Sequence, residues 1–538
     1  MTFDHRIMIL FGVLLVRAES FRTTSSYSSR RMSCLKVVSK PLEIPLEVSC
    51  KSQIVVEASR KEFVWEKQWY PILPISHLQD DVPKQMTVLG RKLVIWSSGN
   101  DSWTVMEDVC PHRRAPLSTG KVIQKTDCKT LMCRFHGWEF DSSGSCVHIP
   151  MLPLNSTKVE TTKFESRTLH SQVQGGMLWA FLDANESNPP NLPVDSVPDD
   201  SEGSWSVTKF PVSYMSMVEN SFDPSHAPFI HEGSKVFGKY VYSPQTAIPI
   251  QHYGLKNGTS LKQEGFILEH TPYLNIFGGS KSIPNLTTRQ FVPPCTQITK
   301  SPFFTARLYF VPSTARETIV IGYMIASSKK RQTMFSLLPE ACKMKIENFR
   351  NDVYHYRQIT SESLRRFSAQ DTLTMQGQDF NKGYTEEGAN HIVLDIAPTP
   401  ADKGVSVFQQ WARRFAGQGP FTKEEGQKSL SLYHPTLSQW DAHSQHCLIC
   451  QKFIKRISNA STMSQKLSTS ALVASVATQL VNIFMKQWWL SRAALGLLTS
   501  SCLLKALSIL ARQHVEQTFE SQSSHAPVHR FLFDVYAA

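Results

Sequence analysis

Two short segments decide the fold, Cys110-Pro-His-Arg-Arg-Ala115 and Cys133-Arg-Phe-His-Gly-Trp138. Each offers one thiol and one imidazole, with His112 two residues after its cysteine and His136 three residues after. Two thiolates and two imidazoles suit either a zinc ion or a [2Fe–2S] cluster in which histidines replace two of the cysteines. Structural zinc usually takes pairs of cysteines about two to four residues apart. One cysteine and one histidine from each segment favour the cluster, because each iron can then draw one ligand from each loop.

A second set of candidate ligands, His226 and His231, follows about 90 residues later. In a regular helix five residues turn by about 500°, which leaves the two rings roughly 140° apart. The segment must therefore bend, and Pro228 between the histidines supplies a reason. Two imidazoles and one carboxylate form the facial triad of non-haem iron oxygenases, which leaves positions open for O2 and substrate control.

The two constellations resemble, in this order, the Rieske domain and the mononuclear-iron motif of Rieske non-haem iron oxygenases. The first likeness includes Pro111 and the His-Gly-Trp that ends at Trp138, and the second rests on Asn220-x2-Asp223-x2-His226-x4-His231. The resemblance implies a [2Fe–2S] cluster on Cys110, His112, Cys133 and His136, and mononuclear Fe(II) on His226 and His231.

The remaining parts of the iron site are also implied by the resemblance. Asp223 takes a catalytic role, because it holds a ligand histidine and links it to the Rieske histidine of a neighbouring subunit, which implies a head-to-tail homotrimer. The carboxylate ligand comes from far downstream. Asp371, followed by Thr-Leu-Thr-Met-Gln-Gly-Gln378, best matches the family's late helix, and Asp379 is the alternative.

The sequence departs from the family in the first constellation. The 20 residues between His112 and Cys133 are a few more than the family has, and an insertion around Lys125–Lys129 fits a hairpin, where loops tolerate extra length. Respiratory Rieske proteins join the two loops by a disulfide, and Ala115 and Phe135 stand at those positions here. The resemblance therefore implies a low-potential, oxygenase-type cluster.

Composition limits the class of protein. The chain has 538 residues, of which 41% are hydrophobic and 19% charged, with 30 Pro and 25 Gly. These values exclude a disordered acidic chain, a collagen, a coiled coil and a polytopic transporter. The net charge of +12 suggests nucleic acid or a membrane surface, but residues 1–42 account for five of these charges and further ones flank two C-terminal apolar segments. We therefore expect no nucleic-acid partner.

The first 45 residues have the composition of a targeting leader. Residues 7–16 are an apolar run with small residues after it, as in a signal peptide, and residues 21–45 are rich in hydroxyl and basic side chains, as in a transit peptide. This two-part leader, with Phe21 at the junction, resembles those of proteins imported into the complex plastids of algae such as diatoms. An ordinary secretory leader followed by a disordered start is the alternative.

Two segments near the end, 467–485 and 493–511, are each long enough to span a bilayer as a helix. The Trp488-Trp489 pair between them suits an interfacial turn, and the basic residues before and after the pair of segments place the globular part and the tail on one side, the stroma. A transmembrane hairpin is thus expected. A pair of amphipathic helices on the protein or the membrane surface is the alternative.

Cys447-Leu-Ile-Cys450 precedes this hairpin. The pair could be a dithiol switch, part of a metal site with His443 and His446, or two inert thiols. We favour a redox-sensitive pair that a thioredoxin targets.

The predicted architecture is α+β and multidomain. An all-β Rieske domain is followed by a helix-grip catalytic domain, an antiparallel sheet plus helices, and by a transmembrane hairpin. Strand-like runs recur up to residue 326, and helix-like runs occupy 338–358 and 361–380. The boundaries are 1–20 for the signal peptide, 21–45 for the transit peptide, 60–185 for the Rieske domain, 205–430 for the catalytic domain, 431–466 for the Cys-x2-Cys segment, 467–511 for the hairpin and 512–538 for the tail.

The segments Trp65-Glu-Lys-Gln-Trp-Tyr-Pro71 and Cys110-Pro-His-Arg-Arg-Ala-Pro-Leu-Ser118, the plastid leader and the Cys-x2-Cys before a hairpin resemble the pheophorbide a oxygenase branch. The resemblance implies a ferredoxin-dependent oxygenase that uses O2 on a chlorophyll-derived tetrapyrrole such as pheophorbide a, in the inner envelope or thylakoid membrane. Oxygenation of chlorophyllide a or protochlorophyllide, or redox sensing at a protein translocon, are the alternatives.

Overall fold

The computed structural model describes residues 63–99, 101–126, 128–152, 164–198, 205–236, 240–275, 286–302, 304–326, 362–384, 397–417, 419–421, 443, 447–485 and 487–519. The two-part leader, the helix predicted at 338–358, His446 and residues 520–538 lie outside the described residues. The algal leader therefore stays a prediction.

In the first part of the chain, the described residues form a unit of ten strands in two antiparallel sheets. A six-stranded sheet has the order β1-β10-β9-β4-β3-β2, and a four-stranded sheet has the order β5-β6-β7-β8. The predicted insertion lies between β5 and β6, which pair as a hairpin with Gln124 opposite Lys129. The strands are β1 (Trp69–Pro74), β2 (Lys84–Val88), β3 (Arg91–Gly99), β4 (Ser102–Glu107), β5 (Lys121–Gln124), β6 (Lys129–Met132), β7 (Glu139–Phe140), β8 (Cys146–His148), β9 (Thr168–Gln174) and β10 (Met177–Phe181).

A second unit follows, with a seven-stranded antiparallel sheet of order β11-β19-β18-β17-β16-β15-β14 and a separate β12-β13 ribbon. Its strands are β11 (Ser206–Phe210), β12 (Lys235–Val236), β13 (Tyr240–Val241), β14 (Tyr253–Leu255), β15 (Phe266–His270), β16 (Thr287–Val292), β17 (Thr296–Lys300), β18 (Phe304–Thr314) and β19 (Glu317–Ala326). Its helices are α1 (Tyr214–Phe222), α2 (Ala227–Ile230), α3 (Glu362–Tyr384) and α4 (Lys403–Phe415). The predicted α+β architecture, all-β unit first, is confirmed.

Two hydrophobic cores hold these layers. The larger core joins the six-stranded sheet to the seven-stranded sheet and the helices, with Trp179 and Tyr309 in edge contact at 5.6 Å and Phe408 and Trp411 of α4 fully buried. The smaller core lies inside the first unit and includes the thiols of Cys110 and Cys133. The first constellation is therefore built on a rigid, separately packed base.

The C-terminal part is a hairpin of two long helices, α5 (Leu448–Met485) and α6 (Trp488–Phe519). Both are long and apolar enough to cross a membrane, by length and composition alone. Serine hydroxyls face one another between them. Ser461 lies 2.9 Å from Ser508 and Ser468 lies 3.1 Å from Ser501, measured between hydroxyl oxygens. One heptad further on, the Ser475 hydroxyl donates to the Ala494 carbonyl at 2.7 Å.

The outward faces of α5 and α6 carry many large apolar side chains, with a few polar ones such as Lys466, Gln479 and Lys505 among them. Exposed side chains include Val473, Leu480, Phe484, Leu495 and Leu503. Small polar residues at the helix contact and large apolar residues outside are the arrangement of membrane helices, the reverse of a helix pair in water.

Candidate metal centres

The two loops of the first constellation have the same backbone pattern. The Cys110 amide donates to the Ala115 carbonyl at 2.8 Å, and the Arg114 amide donates back to the Cys110 carbonyl at 2.8 Å. The Cys133 amide donates to the Trp138 carbonyl at 2.7 Å, and the Gly137 amide donates back to the Cys133 carbonyl at 2.9 Å. Each loop thus closes around its own cysteine and presents one histidine.

A left-handed residue closes each loop, Arg114 with φ 58° and Gly137 with φ 74°. The two positions differ in their surroundings. A β-carbon on Gly137 would lie 2.8 Å from Cγ of Pro150, so space as well as conformation favours glycine there. Arg114 carries a side chain in the same conformation at some cost in energy.

The four side chains fit a cluster. The thiols of Cys110 and Cys133 are buried, and the imidazole rings of His112 and His136 lie 4.6 Å apart between centroids. Within the described residues, Nδ1 of His112 is buried and has no hydrogen-bond partner, as expected of a nitrogen reserved for a metal. Burial, with the neighbouring Cys133 thiol adding to it, raises the pKa of the Cys110 thiol to about 11. Coordination to iron would release that proton.

The cluster site lies at the surface end of the first unit. Trp138 stacks on His112 with centroids 4.5 Å apart and an angle of 4° between the rings. Phe135, next to His136, is 61% exposed, and Arg113 and Arg134 are also exposed. The histidine edge of the site is therefore accessible to a redox partner, while the cysteine side is enclosed.

A break between two helices positions the second pair of histidines. Helix α1 begins after Ser213, whose hydroxyl accepts from the Ser216 amide, and it ends at Phe222. His226 and His231 then flank the short helix α2 on either side, with ring centroids 5.6 Å apart. The required bend is present, but Pro228 does not make it. Pro228 lies in the first turn of α2, where proline is compatible with a helix.

Asp371 of α3 completes the set. Its Oδ1 lies 3.2 Å from Nε2 of His231 and 3.6 Å from Nε2 of His226. The three ligand atoms all lie within 4.8 Å of one another. Within the described residues, the buried Oδ1 of Asp371 has no hydrogen-bond partner despite these two close nitrogens. Three donor atoms that converge without hydrogen-bonding one another fit a metal ion between them.

The carboxylate of Asp223 lies close to the imidazole of His226. Ser225 donates to its Oδ1 from the amide at 2.8 Å and from the hydroxyl at 2.6 Å. The other oxygen, Oδ2, lies 3.6 Å from Nδ1 of His226. Burial lowers the pKa of His226, but Asp223 and Asp371 outweigh this effect and the net pKa is raised. Asp223 thus faces the ring nitrogen of His226 that points away from Asp371, at an ion-pair distance rather than a hydrogen-bond distance.

The alternative carboxylate, Asp379, is not part of this set. It accepts hydrogen bonds from the amide and hydroxyl of Ser213, at 2.8 and 2.6 Å, and from the hydroxyl of Ser216 at 2.5 Å. Asp379 therefore ties α3 to the start of α1. One turn further along α3, Lys382 pairs with the buried Glu219 of α1 at 2.7 Å.

Two other residues near this site were not predicted to act in it. Gln370 accepts from Nδ1 of the fully buried His231 at 3.1 Å, which directs the lone pair of Nε2 toward Asp371. In the sequence, only its position next to Asp371 could have indicated this role. Arg289 of β16 donates to Nε2 of His270 at 3.1 Å and to the Ser221 carbonyl at the end of α1. No sequence pattern around Arg289 indicates these contacts.

A third group of side chains surrounds the Cys-x2-Cys pair. His443, Cys447 and Cys450 are all buried, and their ligand atoms lie within 4.8 Å of one another. His446 lies outside the described residues. The structure thus brings together the pair and one of its two predicted histidine neighbours.

Residues 68–160 match the Rieske [2Fe-2S] domain family. The chain is 28% identical over 427 residues to the chloroplastic pheophorbide a oxygenase of Arabidopsis thaliana, and the match covers 73% of each chain. It is 35% identical over 209 residues to the chloroplastic protochlorophyllide-dependent translocon component 52 of Arabidopsis thaliana, covering 35% of this chain and 36% of that one. A similar solved structure is the terminal oxygenase of carbazole 1,9a-dioxygenase from Nocardioides aromaticivorans IC177, with 16% identity, a TM-score of 0.48 and coverage of 66% of this chain and 95% of that chain.

The chain contains a Rieske [2Fe-2S] domain and is an oxygenase similar to the Rieske non-haem iron oxygenases, with a [2Fe–2S] cluster and a mononuclear iron as its cofactors. Over most of its length it is similar to pheophorbide a oxygenase, and the two Arabidopsis thaliana relatives named above are chloroplastic, which supports a plastid location for this chain. The predicted family, cofactors and oxygenase class are confirmed.

Proposed function

We propose that the protein is a ferredoxin-dependent oxygenase that uses O2 to oxygenate a chlorophyll-derived tetrapyrrole of the pheophorbide a type. The observation that carries this proposal is the similarity to a pheophorbide a oxygenase over 427 residues, across both units rather than the Rieske domain alone. The convergence of His226, His231 and Asp371 supports a working catalytic unit, because an electron carrier has no need of a second metal site.

In this proposal Cys110, His112, Cys133 and His136 hold the cluster, and His226, His231 and Asp371 hold the mononuclear iron. When bound, the two centres store electrons and activate O2. The chain contributes orientation and shielding. Gln370 keeps the His231 proton on Nδ1, Asp223 orients His226, and full burial of His231 excludes water from one side of the site.

We further propose that the working form is a homotrimer in which Asp223 links the iron site of one subunit to the cluster of the next. Support comes from the accessible His136 edge and the neighbouring exposed Phe135, which suit a protein contact. The same edge must also receive electrons from reduced ferredoxin. The exposed cations Arg113 and Arg134 beside it would attract an acidic carrier.

The membrane assignment is also a proposal. The serine contacts between α5 and α6, and their apolar outer faces, support a transmembrane hairpin over 467–511. Basic residues before and after the hairpin favour a stromal catalytic part. The proposed membrane is the plastid inner envelope or the thylakoid. The proposed boundaries of the Rieske domain, 60–185, the catalytic domain, 205–430, the Cys-x2-Cys segment, 431–466, and the tail, 512–538, are those predicted above.

Cys447 and Cys450 stay a proposed redox pair with thioredoxin as the partner. A thioredoxin dithiol would reduce a Cys447–Cys450 disulfide and become oxidised itself. Both cysteines are fully buried, so this exchange requires the segment to open first.

A second function is favoured by one observation. Over the 209 matched residues the chain is more similar to a translocon component, at 35% identity, than to the pheophorbide a oxygenase over its longer match. Redox sensing at a translocon, or oxygenation of chlorophyllide a or protochlorophyllide, are therefore the alternatives to test.

The test is direct oxygenation. The purified full chain in detergent, loaded with iron, is incubated without air with reduced ferredoxin and one of pheophorbide a, chlorophyllide a, protochlorophyllide or a linear bilin. Isotopically heavy O2 is then admitted and the pigments are analysed by mass spectrometry. We expect heavy oxygen in the pheophorbide product, and none with the His226→Ala variant. Oxygen uptake with no labelled pigment in the panel would contradict the tetrapyrrole proposal, and no O2 uptake would favour the sensor.

A further inference from the structure

His443, Cys447 and Cys450 form a compact group of soft ligands away from both iron centres. Nε2 of His443 lies 3.3 Å from Sγ of Cys450, and the exposed fractions of the three residues are 1%, 0% and 0%. The Cys447 amide donates to the His443 carbonyl at 3.1 Å, so one helical turn separates these two residues. Cys450 follows three residues later in the first turn of α5.

This spacing places all three side chains on one face. At about 100° per residue, positions i, i+4 and i+7 of a helix fall within an arc of roughly 60°. The three ligands therefore point in one direction. A buried pair of thiols alone would fit a disulfide. A disulfide does not need the converging nitrogen of His443, so this nitrogen favours a metal ion.

The histidine is held in the tautomer that a metal requires. Nδ1 of His443 lies 2.7 Å from the Val207 carbonyl of β11, and a carbonyl can only accept. Nδ1 therefore carries the proton, and the lone pair of Nε2 faces Cys450. Metal-binding histidines commonly donate their second nitrogen to a backbone carbonyl in this way.

We infer that Cys447 and Cys450, in the reduced form of the redox pair proposed above, bind a zinc ion together with His443. Two thiolates and one imidazole are a ligand set for zinc, and carboxylates, which harder cations prefer, do not belong to it. Binding displaces the two thiol protons and leaves the nitrogen ligand neutral. Zinc has a fourth position, which a water molecule would fill.

The zinc would join two parts of the molecule. His443 is hydrogen-bonded to the Val207 carbonyl of β11, and Cys450 is in the helix that begins the hairpin. Strand β11 leads directly into Ser213 and α1, which precede the iron ligands. The zinc would thus fix the hairpin to the catalytic unit. This inference does not depend on which substrate is oxygenated.

The test is elemental analysis of the full chain in detergent, with zinc and iron counted per chain. We expect about one zinc ion in the unaltered protein and at least about a ten-fold loss of zinc in His443→Asn and in Cys447→Ser/Cys450→Ser. Asn retains a donor for the Val207 carbonyl while it removes the ligand nitrogen. Iron content should stay the same. Cys502→Ser, an exposed cysteine on α6, is the matched control and should keep its zinc.

Three results would overturn the inference. One is a zinc content far below one per chain in the unaltered protein grown with zinc. Another is zinc that is lost in Cys133→Ser but kept in the Cys447→Ser/Cys450→Ser variant, because zinc would then occupy the Rieske loops. Cobalt substitution covers variants that fail to fold. In the unaltered protein cobalt should show a thiolate charge-transfer band and tetrahedral ligand-field bands, and their absence would also overturn it.

Discussion

The two iron centres are encoded in different ways. The proposed cluster ligands lie in two loops with matching hydrogen bonds, and both loops come from one small unit with its own core. The proposed mononuclear site joins His231 to a helix whose Gln370 lies 139 residues later. The first site is therefore a local property of its loops, whereas the second depends on how α3 packs against α1.

This difference predicts that each metal centre can be lost without the other. Variants that remove a metal ligand should have the largest effect on activity. His231→Ala removes a ligand of the distributed site, so oxygenation should fall below detection while the Rieske electron paramagnetic resonance signal stays. Cys133→Ser should abolish that signal and oxygenation but leave the mononuclear iron, measured by elemental analysis. Loss of both metals from His231→Ala would show that the centres are not independent.

The assignment of the carboxylate can be sharpened with a matched pair of variants on α3. Asp371→Ala should lose the mononuclear iron with little change in the melting temperature of the iron-free protein. Asp379→Ala removes the acceptor of three hydrogen bonds at the start of α1, which should cost about 1–3 kcal/mol of unfolding free energy. Thermal unfolding and iron titration separate the two effects. The reverse pattern would assign the iron to Asp379.

Substitution of Gln370 tests how far iron binding at the mononuclear site depends on a residue that orients one of its ligands. Gln370→Leu leaves Nδ1 of His231 without its acceptor, so iron affinity should fall roughly 10–100-fold. Gln370→Glu restores an acceptor oxygen and should recover most of the affinity. Iron binding by competition with a chelator measures both variants, and equal affinity in the Leu variant would exclude the orienting role.

The two cluster loops differ at their left-handed residues. Gly137→Ala adds a β-carbon at φ 74° and close to Pro150, so it should destabilise the folded protein by about 1–2 kcal/mol and shift the Rieske signal. Arg114→Ala is the control at the equivalent position, where a β-carbon is already present, and should be nearly silent in both measurements. Equal effects of the two variants would contradict this difference between the loops.

The smallest predicted effect is on the pH dependence of stability. It concerns His270, whose partner Arg289 also contacts the end of α1. Burial, together with Arg289, lowers the pKa of His270 from 6.5 to about 4. Between these values the unfolded chain binds a proton that the folded protein does not, so stability is lost as the pH falls through this range. His270→Gln should remove about 1 kcal/mol of that loss near pH 5.5. Denaturant unfolding at neutral and acidic pH measures it, and an unchanged pH dependence would contradict the shift.

The sequence predicted the local site more completely than the distributed one. The four residues predicted to hold the cluster all lie within 110–138, and the structure brings them together because their geometry is set within the loops, while the proposed insertion falls in the β5–β6 hairpin. His226 and His231 were also found in one motif. Asp371 could be chosen over Asp379 only through a family resemblance, since both lie on α3 and packing against α1 decides which one faces the histidines.

Contacts between distant segments were beyond the reach of sequence patterns. Gln370 carries no signal besides its neighbour, and Arg289 reaches α1 from a strand 68 residues later. The bend at the histidines was predicted, but its cause was assigned to Pro228 rather than to the break between α1 and α2. The serine contacts of the hairpin require the antiparallel register of α5 and α6, which hydropathy alone does not define.

Helix α3 is attached at two places, and this bears on the order in which the enzyme matures. Asp379 and Lys382 tie it to Ser213 and Glu219 by ordinary hydrogen bonds and an ion pair, none of which involves the iron site. About two turns away, Asp371 is thereby presented to the histidines before any metal arrives. The metal-free protein therefore has a preformed iron-binding site. Iron can enter last and be exchanged reversibly, without refolding of the chain.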